Sequence, residues 1–334
     1  MLPPGNKSAL LLGRAEVTAL LTPDECREAV RRALILHAMG RAAPPAVLSV
    51  HAEGGGFHLK AALVDLGRPY FAAKINANFP DNPARRGLPT IQGVVVLCDG
   101  NDGSPLALLD SMEITSLRTA ATTAAAVQAL APAEARALTL AGCGAQGAAH
   151  LRALARVLRL ERAWVHDLDP ARARRFAQEM TAELGFAVEA TADLAGATRR
   201  SQVCVTCTPS RTPILFRGDV APGTLVAAVG ADNPLKQEIA PDLLAASAVV
   251  VDSLEQCATI GDLHHAIVAG LMKREDVRAE LGEVLAGIRP GRRAADEVIV
   301  FDSSGVALGD VAAAAAAYEK ALRAGAGLPW APAA

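Results

Sequence analysis

A glycine-rich segment in the middle of the chain is the first place where residue types and their spacing indicate chemistry. Gly142, Gly144 and Gly147 form a G-x-G-x-x-G pattern that follows the apolar run "ALTLAG" and precedes a helix-forming stretch. Such a turn leaves room for a pyrophosphate, whose charge is favoured by the positive end of the following helix. The pattern alone is weak, but a strand before it and a helix after it strengthen it. The sequence therefore predicts a dinucleotide site at this loop.

The choice of dinucleotide depends on Asp167, which ends the next strand-like segment, "RAWVHD". A carboxylate at this place accepts hydrogen bonds from the ribose hydroxyls and repels a 2'-phosphate, which favours NAD over NADP. Two alternatives stay open. Asp167 could instead cap the following helix, although Asp169 is the stronger cap candidate. Binding of NADP would be possible if Arg172, Arg174 or Arg175 of that helix reached the phosphate.

Two basic residues outside this loop lie in apolar surroundings. Lys74 belongs to the strand-like segment "YFAAKINA", and Arg118 to the Ala-rich stretch "SLRTAATTAAA". An unpaired charge is costly in an apolar environment, so each residue needs a partner. A carboxylate of a small substrate fits both, since the guanidinium of Arg118 can donate two parallel hydrogen bonds. An internal salt bridge is the alternative for each.

Hydrophobic patterning predicts an α/β fold with two domains. From Leu138 to about Phe301, apolar strands alternate with helices, which is typical of a doubly wound parallel sheet. The first 120 residues show two helices (Ala15–Leu20 and Pro23–Gly40) and five short strands, an antiparallel α+β pattern. A last helix, Val311–Ala324, follows the final strand. We predict a Rossmann-type dinucleotide-binding domain at 121–310 and a substrate-binding and dimerisation domain at 1–120 and 311–334.

Composition and charge exclude several classes of protein. The 334 residues are 51% hydrophobic and 20% charged, with a net charge of -2. They show no basic patch for nucleic acid and no apolar run long enough to span a membrane. The start, "MLPPGNKSALLLG", lacks the features of a signal peptide, so we expect a cytoplasmic protein. Cys204 and Cys207 form a C-x-x-C in a buried strand, and we interpret them as core residues without a metal.

Seven segments between Lys74 and Asp310 together resemble the ornithine cyclodeaminase/mu-crystallin family, which includes alanine dehydrogenases and ketimine reductases. They are "KINANFPDNPARRGLPT", "LLDSMEITSLRTAA", "GCGAQ", "TCTPSRTP", "VGADNPLKQEI", "ELGEVLAGIRPGR" and "FDSSGVALGD". The resemblance implies an N-terminal catalytic and dimerisation domain before the Rossmann domain, with the C-terminal helix packed back on it. It also implies a homodimer that acts on a small amino or imino acid.

The resemblance further implies roles for individual residues. Lys74 and Arg118 would bind the substrate carboxylate, and Asp232 in "VGADNP" would be the catalytic acid/base. Lys74 would also be a catalytic residue. A carboxylate just past a Rossmann strand lies at the edge where ligands bind, and an imine needs a proton donor there. A simple turn before Pro234 is the alternative for Asp232. The predicted cofactor-binding residues are Thr90, Thr119, Gly142, Gly144, Ala145, Gln146, Gly147, Asp167, Thr206 and Asp302.

The chain departs from the family pattern around its first strands. Family members commonly have an arginine where this chain has Ala46, and a methionine where it has Lys60. His58 lies two residues before Lys60, so both side chains face the same side of a strand. We hypothesise that Lys60 replaces the lost positive charge and that His58 and Lys60 contact the substrate. The ornithine-specific enzymes have a carboxylate near His58, so a histidine there indicates a different substrate side chain.

Three functions are compatible with these residues. The first is an NAD(P)-dependent oxidoreductase acting at the Cα of an amino or imino acid, either a dehydrogenase or an imine (ketimine) reductase. The second is a cyclodeaminase, in which NAD is recycled within one turnover and ammonia is lost. The third is a non-catalytic binding protein similar to mu-crystallin. The basic groups of His58 and Lys60 would repel the second ammonium of a diamino acid, which favours the first function over the second. The presence of Asp232 argues against the third.

Overall fold

The computed structural model describes residues 8–331, so residues 1–7 of the stretch considered for a signal peptide lie outside it. The chain divides into two compact units. Unit 1 contains the chain up to Ala121 and from Val306 onwards, and unit 2 contains Thr122–Gly305. Within residues 8–331, no helix combines the length and apolar character needed to cross a membrane.

Unit 1 is built on a seven-stranded sheet with the order β17-β1-β6-β5-β4-β3-β2, where elements are numbered along the whole chain. Its strands are β1 (Ala9–Leu12), β2 (Ala46–Ala52), β3 (Gly55–Asp65), β4 (Pro69–Asn78), β5 (Ile91–Asp99), β6 (Pro105–Asp110) and β17 (Leu328–Trp330). The helices that belong to it or begin in it are α1 (Arg14–Leu20), α2 (Pro23–Ala38), α3 (Asn82–Arg86), α4 (Ser111–Leu130) and α12 (Ala307–Ala324). Helices α2 and α12 pack together, and α12 lies against β3, β4 and β5.

Local sequence explains where α2 begins and which side it buries. The Thr22 side chain accepts a hydrogen bond from the Glu25 backbone, the Glu25 side chain accepts one from the Thr22 backbone, and Pro23 occupies the first turn. This capping box satisfies backbone donors that a helix start leaves unpaired. Val30 and Leu34, one turn apart, lie on the buried face.

The structure of unit 1 differs from two expectations, one about its sheet and one about the start of α12. The sheet is mixed and not purely antiparallel, because β1 pairs in parallel with β6 while β17 pairs antiparallel with β1. Both β1 and β17 are too short, at four and three residues, to show the alternation by which strands are recognised in a sequence. In addition, α12 begins at Ala307 and not at Val311, which places Asp310 inside the helix.

Unit 2 confirms the predicted doubly wound parallel sheet. Its eight strands have the order β15-β14-β16-β12-β10-β7-β8-β9, and every pair is parallel. They are β7 (Ala137–Ala141), β8 (Arg162–His166), β9 (Ala187–Ala190), β10 (Val203–Thr206), β12 (Leu225–Ala228), β14 (Ala248–Val251), β15 (Ala279–Glu280) and β16 (Ile299–Asp302). The order reverses between β7 and β10, and ligands of such sheets bind at the carboxyl ends of the strands near that reversal.

The remaining elements of unit 2 cover this sheet. A separate two-stranded sheet pairs β11 (Arg211–Leu215) with β13 (Gln237–Ile239). The helices are α5 (Ala145–Val157), α6 (Pro170–Leu184), α7 (Leu194–Arg199), α8 (Pro241–Ala245), α9 (Leu254–Ile260), α10 (Asp262–Val268) and α11 (Leu281–Leu285). Cys204 is fully buried in the core beside β12 and β14, and Cys207 follows the end of β10 with its Sγ 3.4 Å from the Ala141 carbonyl oxygen.

Candidate active site

The glycine loop joins β7 to α5, and glycine is needed at its three positions for different reasons. Gly142 has a φ of +106°, and a Cβ there would come 2.8 Å from the Cys207 carbonyl oxygen. A Cβ on Gly147 would come 2.1 Å from the Gly142 carbonyl oxygen, so this glycine lets the helix approach the strand. Gly144 is exposed at the N-cap of α5, with nothing within 4 Å of its Cβ position. The first and third glycines therefore shape the turn, and the second leaves the helix start open to an anionic group.

Asp167 follows β8 and is hydrogen-bonded to this loop. One carboxylate oxygen accepts a hydrogen bond from the Cys143 backbone N–H at 3.0 Å, and the other accepts one from the Asp169 N–H, also at 3.0 Å. Asp169 itself caps α6 through the Ala171 and Arg172 N–H groups, as expected of the stronger cap candidate. Arg172 lies 3.9 Å from Asp167. Each oxygen of Asp167 can accept a further bond, so the carboxylate can serve a ribose hydroxyl.

Two further residues of the loop present suitable atoms to a ligand. Ala145 is exposed beside Gly144. The Gln146 Oε1 atom is buried, and no residue within 8–331 donates a hydrogen bond to it. Buried acceptors without a donor are uncommon in native proteins and call for an explanation. A donor on a bound dinucleotide would supply one, so the loop fits the predicted cofactor.

Thr90 and Thr119 belong to unit 1. Thr90 precedes β5, and its carbonyl oxygen accepts a hydrogen bond from the Phe79 N–H at 2.8 Å. The Thr119 hydroxyl donates to the Thr115 carbonyl oxygen, one turn earlier in α4, at 2.7 Å. Their contribution to cofactor binding stays a prediction.

Lys74 and Arg118 lie together in unit 1 and share a carboxylate. Lys74 Nζ and Arg118 Nε each donate a hydrogen bond of 2.9 Å to Asp310 Oδ1, and the three side chains are 4%, 7% and 2% exposed. The internal salt bridge considered for each base is therefore present, with one acid for two bases. Lys74 makes this single hydrogen bond within residues 8–331, although an ammonium has three donors. Asp310 Oδ2 is buried and accepts none there.

The cluster is electrostatically unbalanced. Burial, together with the nearby charge of Arg118, lowers the pKa of Lys74 to about 7. Burial would raise the pKa of Asp310, but the charges of Arg118 and Lys74 outweigh that effect and the pKa lies below its usual value. Two cations around one anion leave a net positive charge in a desolvated place, where an added carboxylate would be stabilised.

Lys60 and His58 lie on the same sheet face as Lys74. In the antiparallel pairing of β3 with β4, Lys60 is directly opposite Lys74, and His58 is opposite Asn76. The charge of Lys60 contributes to lowering the pKa of Lys74, which places the two ammonium groups within electrostatic range. His58 Nδ1 lies 3.1 Å from the Ser49 hydroxyl. Lys60 thus brings a positive charge to the strand beside Ala46, and its replacement of the family's arginine stays a prediction.

Asp232 lies in unit 2, in the loop that follows β12. Its side chain is 53% exposed, and Oδ1 accepts a hydrogen bond of 2.7 Å from Lys236 Nζ. It therefore occupies the carboxyl edge of the parallel sheet, as the sequence predicts, and is accessible to solvent. Lys236 is an ammonium partner for this carboxylate that the sequence reasoning did not single out.

Glu238 of β13 fixes the loop that carries Asp232. One carboxylate oxygen accepts hydrogen bonds from the Thr208 N–H and hydroxyl at 2.6 and 2.7 Å. The other accepts them from the Gly230 N–H at 2.7 Å and the Thr206 hydroxyl at 2.8 Å. Burial raises the pKa of Glu238, and the four hydrogen bonds oppose that effect. Glu238 therefore ties together the segments that follow β10 and β12.

Thr206 and Asp302 have different surroundings from those expected of cofactor contacts. Both are 0% exposed, and the Thr206 hydroxyl points to Glu238. Asp302 Oδ2 accepts a hydrogen bond of 2.8 Å from the Leu263 N–H at the start of α10. Burial raises the pKa of Asp302 to about 7, and the nearby Asp252 adds to that rise. These side chains are enclosed and hold neighbouring backbone segments in place, and a contact of either residue with the cofactor stays a prediction.

Asp310 and Glu238 are the main residues that the sequence reasoning missed. Asp310 is an acid within the otherwise apolar stretch "VALGDVAAAA", and Glu238 directly precedes the apolar residues of "QEIA". The cost of burying an unpaired charge, which singled out Lys74, would have singled out both acids as well. The late start predicted for α12 left Asp310 outside the helix and so concealed that signal.

Comparison with known proteins places the chain among amino- and imino-acid enzymes. An alanine dehydrogenase from Archaeoglobus fulgidus is 36% identical over 313 residues, covering 94% of this chain and 95% of the relative. A solved archaeal alanine dehydrogenase dimer with bound NAD has a TM-score of 0.92 at 35% identity and covers 96% of this chain and 98% of its own.

Two further solved structures are similar over their whole length. The iminosuccinate reductase of Paracoccus denitrificans in complex with NAD+ has a TM-score of 0.89 at 32% identity and covers 97% of this chain and 99% of its own. The Delta(1)-pyrroline-2-carboxylate reductase of Thermococcus litoralis, in complex with NADH and L-proline, has a TM-score of 0.90 at 30% identity, covering 96% and 99%.

The family model for ornithine cyclodeaminase/mu-crystallin matches residues 7–325, nearly the whole chain. It spans both units and includes the glycine loop, the paired bases of unit 1 and the Asp232 loop. The match confirms the resemblance seen in the sequence. This chain belongs to the ornithine cyclodeaminase/mu-crystallin family.

Proposed function

We propose that this protein is an NAD-dependent oxidoreductase that acts at the Cα of an amino or imino acid, as an imine reductase or amino-acid dehydrogenase. The observation that carries the proposal is the buried cluster of Lys74, Arg118 and Asp310, which has an excess of positive charge and unused donors on Lys74. A small carboxylate satisfies both features. The open glycine loop and the Asp232 carboxylate supply the other two requirements of this chemistry, a dinucleotide site and an acid.

Each part of the chain has a defined task in this reaction. In unit 1, Lys74 and Arg118 hold and orient the substrate carboxylate, and Lys60 adds positive charge. In unit 2, Gly144, Ala145 and Gln146 face the pyrophosphate, and Asp167 accepts bonds from the ribose. NAD(H), when bound, supplies or accepts the hydride. Asp232 delivers a proton to the imine nitrogen in reduction and removes one from the amine in oxidation.

The comparisons support this function. An alanine dehydrogenase, an iminosuccinate reductase and a pyrroline-2-carboxylate reductase are by name oxidoreductases of amino or imino acids, and each was solved with NAD or NADH. A cyclodeaminase is the second candidate, since a lysine cyclodeaminase has a TM-score of 0.85 to this chain at 29% identity. His58 and Lys60 disfavour it, because like charges in a desolvated site raise the energy of a bound diamino acid.

The test follows the near-ultraviolet absorbance of the reduced nicotinamide with purified protein. L-alanine, L-ornithine, a cyclic imine and open-chain imines formed from an oxo acid and ammonium are offered in turn. Net NADH consumption with an imine, or net NAD reduction with a simple amino acid, is expected. Ammonia and proline formed from ornithine without a net absorbance change would instead identify a cyclodeaminase. Ligand binding without turnover of any of these compounds would identify a binding protein.

We also propose that the chain forms a homodimer through the outer face of the seven-stranded sheet. That face lies opposite to α12 and exposes apolar side chains that are neighbours across β2 to β5: Leu48, Val50, Phe57, Phe71, Ile75 and Val94 are each 36–58% exposed. A contiguous apolar surface of this kind marks an association site. The archaeal alanine dehydrogenase is a dimer. The test is the molecular mass in solution, which is expected to halve in Ile75→Asp.

A cytoplasmic location completes the proposal. All six cysteines are free, which fits a reducing compartment. Fractionation of the producing cells, with the protein followed by antibody, tests it, and recovery outside the cytoplasm would contradict it.

A further inference from the structure

Two acids of unit 2, Asp262 and Asp302, lie against each other in the interior. Asp302 ends β16, Asp262 is the first residue of α10, and both are 0% exposed. Asp302 Oδ2 accepts a hydrogen bond of 2.8 Å from the Leu263 N–H, and a Cβ on Gly261 would lie 2.4 Å from the same oxygen. Because Asp262 stands between these two residues in the chain, the carboxylate of Asp302 is packed on its backbone.

Each of the two acids has one oxygen with a hydrogen-bond partner and one without. Asp262 Oδ1 accepts hydrogen bonds of 2.8 Å from the N–H groups of Glu238 and Ile239. Asp262 Oδ2 and Asp302 Oδ1 are buried, and no residue within 8–331 donates a hydrogen bond to them. Leaving a buried polar atom unpaired costs free energy, so native structures rarely contain one without a reason. Two such atoms on neighbouring acids call for a common explanation.

The charges next to the pair are negative. Burial raises the pKa of Asp262 far above its usual value, and the charges of Asp302 and of Glu238 in β13 add to that rise. Burial likewise raises the pKa of Asp302 to about 7, with a contribution from Asp252, which follows β14. In the described chain no group of three or more acidic, histidine or cysteine side chains is arranged to hold a metal ion. A proton is the cation that suits two buried carboxylates of this kind.

The other titratable groups around the pair are engaged with different partners. On α9, the Cys257 thiol donates a hydrogen bond of 3.2 Å to Asp252 Oδ1. Asp252 Oδ2 accepts one of 3.0 Å from the Ser303 hydroxyl. On α10, the rings of His264 and His265 lie 3.3 and 2.8 Å from backbone carbonyl oxygens. The unpaired oxygens of the two acids are therefore left to each other.

The pair also holds the strand that fixes the loop of Asp232. Through its paired oxygen, Asp262 binds the backbone of β13 at Glu238 and Ile239. The Glu238 side chain in turn accepts a hydrogen bond of 2.7 Å from the N–H of Gly230, two residues before Asp232. The charge of the pair can therefore influence the position of Asp232, although neither acid of the pair needs to touch a ligand for this.

We propose that Asp262 and Asp302 share one proton between Asp262 Oδ2 and Asp302 Oδ1, and that this hydrogen bond positions β13 and the Asp232 loop. The positioning role rests on the proposed function, whereas the shared proton does not. One protonated carboxyl group then donates to the other carboxylate, and both unpaired oxygens are satisfied. Asp262→Asn reproduces the arrangement without a titrating proton, because its amide oxygen accepts from β13 while its NH2 donates to Asp302.

The first test is urea unfolding as a function of pH for the wild type, Asp262→Asn and the control Asp242→Asn, an exposed acid of α8. Above about pH 4 the folded pair keeps a proton that both acids lose in the unfolded chain, so a rise in pH disfavours the folded wild type. Between about pH 5 and 7, its folding equilibrium constant should fall about tenfold per pH unit relative to that of Asp262→Asn. Asp242→Asn should follow the wild type. A constant ratio between wild type and Asp262→Asn would overturn the shared proton.

Infrared absorption detects the protonated carboxyl group directly. At about pH 6 an ordinary aspartate is ionised, so the carbonyl band of a protonated carboxyl group reports a raised pKa. The spectrum of the wild type minus that of Asp262→Asn should contain this band, and the wild type minus Asp242→Asn should not. Absence of the band from the first difference would overturn the shared proton.

Turnover tests the positioning role separately. With NADH and an imine, kcat of the wild type should fall at least about threefold relative to that of Asp262→Asn between about pH 7 and 9, because loss of the proton leaves two carboxylates that repel each other. A constant ratio of the two kcat values would overturn the positioning role. Absence of NADH oxidation with every imine would refute the proposed function, while unfolding and infrared absorption still decide the shared proton.

Discussion

Replacing Asp310 by Asn removes the negative charge that Lys74 and Arg118 share while keeping the size of the side chain. Both bases donate to the same oxygen at 2.9 Å, and all three side chains are less than 10% exposed. Removing one partner of a buried ion pair leaves an uncompensated charge, which costs about 3–5 kcal/mol. The loss in the free energy of unfolding should be largest below pH 7, because Lys74, with a pKa of about 7, is then charged.

The assay is urea unfolding of wild type, Asp310→Asn and the control Asp65→Asn at about pH 6. Asp65 pairs with Arg41, but these side chains are 38% and 50% exposed, so the control should lose no more than about 1 kcal/mol. A loss in Asp310→Asn equal to that of the control would contradict a stabilising role of the buried ion pair. It would show that the two bases do not depend on Asp310 for their place in the apolar interior.

Four further predictions concern catalysis. Because burial lowers the pKa of Lys74 to about 7, kcat/KM for a carboxylate substrate should fall as the pH rises above about 7. The fall should be absent in Lys74→Arg, because the guanidinium stays charged. A flat wild-type profile would contradict this role of Lys74. Asp232→Asn should bind NADH and substrate yet lose turnover at least about 100-fold, so near-normal activity would remove Asp232 from the mechanism. Glu238→Gln leaves one backbone N–H facing an amide NH2, so kcat should fall about tenfold or more. The affinity for NADH should stay within about threefold of wild type. The exposed control Glu255→Gln should have the kcat and NADH affinity of wild type. Asp167→Ser should raise the ratio of kcat/KM with NADPH to that with NADH, and a wild-type preference for NADPH would show that Asp167 does not set the choice.

The parts of the fold that the sequence predicts are those determined by local patterns. The glycine loop is recognised from six residues together with the strand and helix that flank it. The parallel sheet of unit 2 is predicted by its repeated apolar runs. Lys74 and Arg118 stand out because a charge in an apolar segment is costly wherever it occurs. The pairing of Lys60 with Lys74 follows from strand register, which the alternation on β3 made partly visible.

The features that the sequence does not predict depend on contacts between residues far apart in the chain. Asp310 is separated by 236 residues from Lys74, and no local pattern links them. Glu238 acts by joining the segments after two different strands, which requires the order of the sheet to be known. Thr206 and Asp302 lie at the carboxyl ends of strands, where ligands are expected, yet their side chains turn inward; strand position alone does not determine that direction.

Net oxidation of NADH by an imine decides whether this protein is an imine reductase. Purified protein is mixed with NADH and with the imines formed from ammonium and oxaloacetate or pyruvate, and the absorbance of the reduced nicotinamide is followed together with the amino acid produced. This function requires that NADH is consumed in step with formation of the amino acid, and we expect Asp232→Asn to abolish the change although it still binds NADH. A stable absorbance with every imine, combined with ammonia release from a diamino acid, would contradict it.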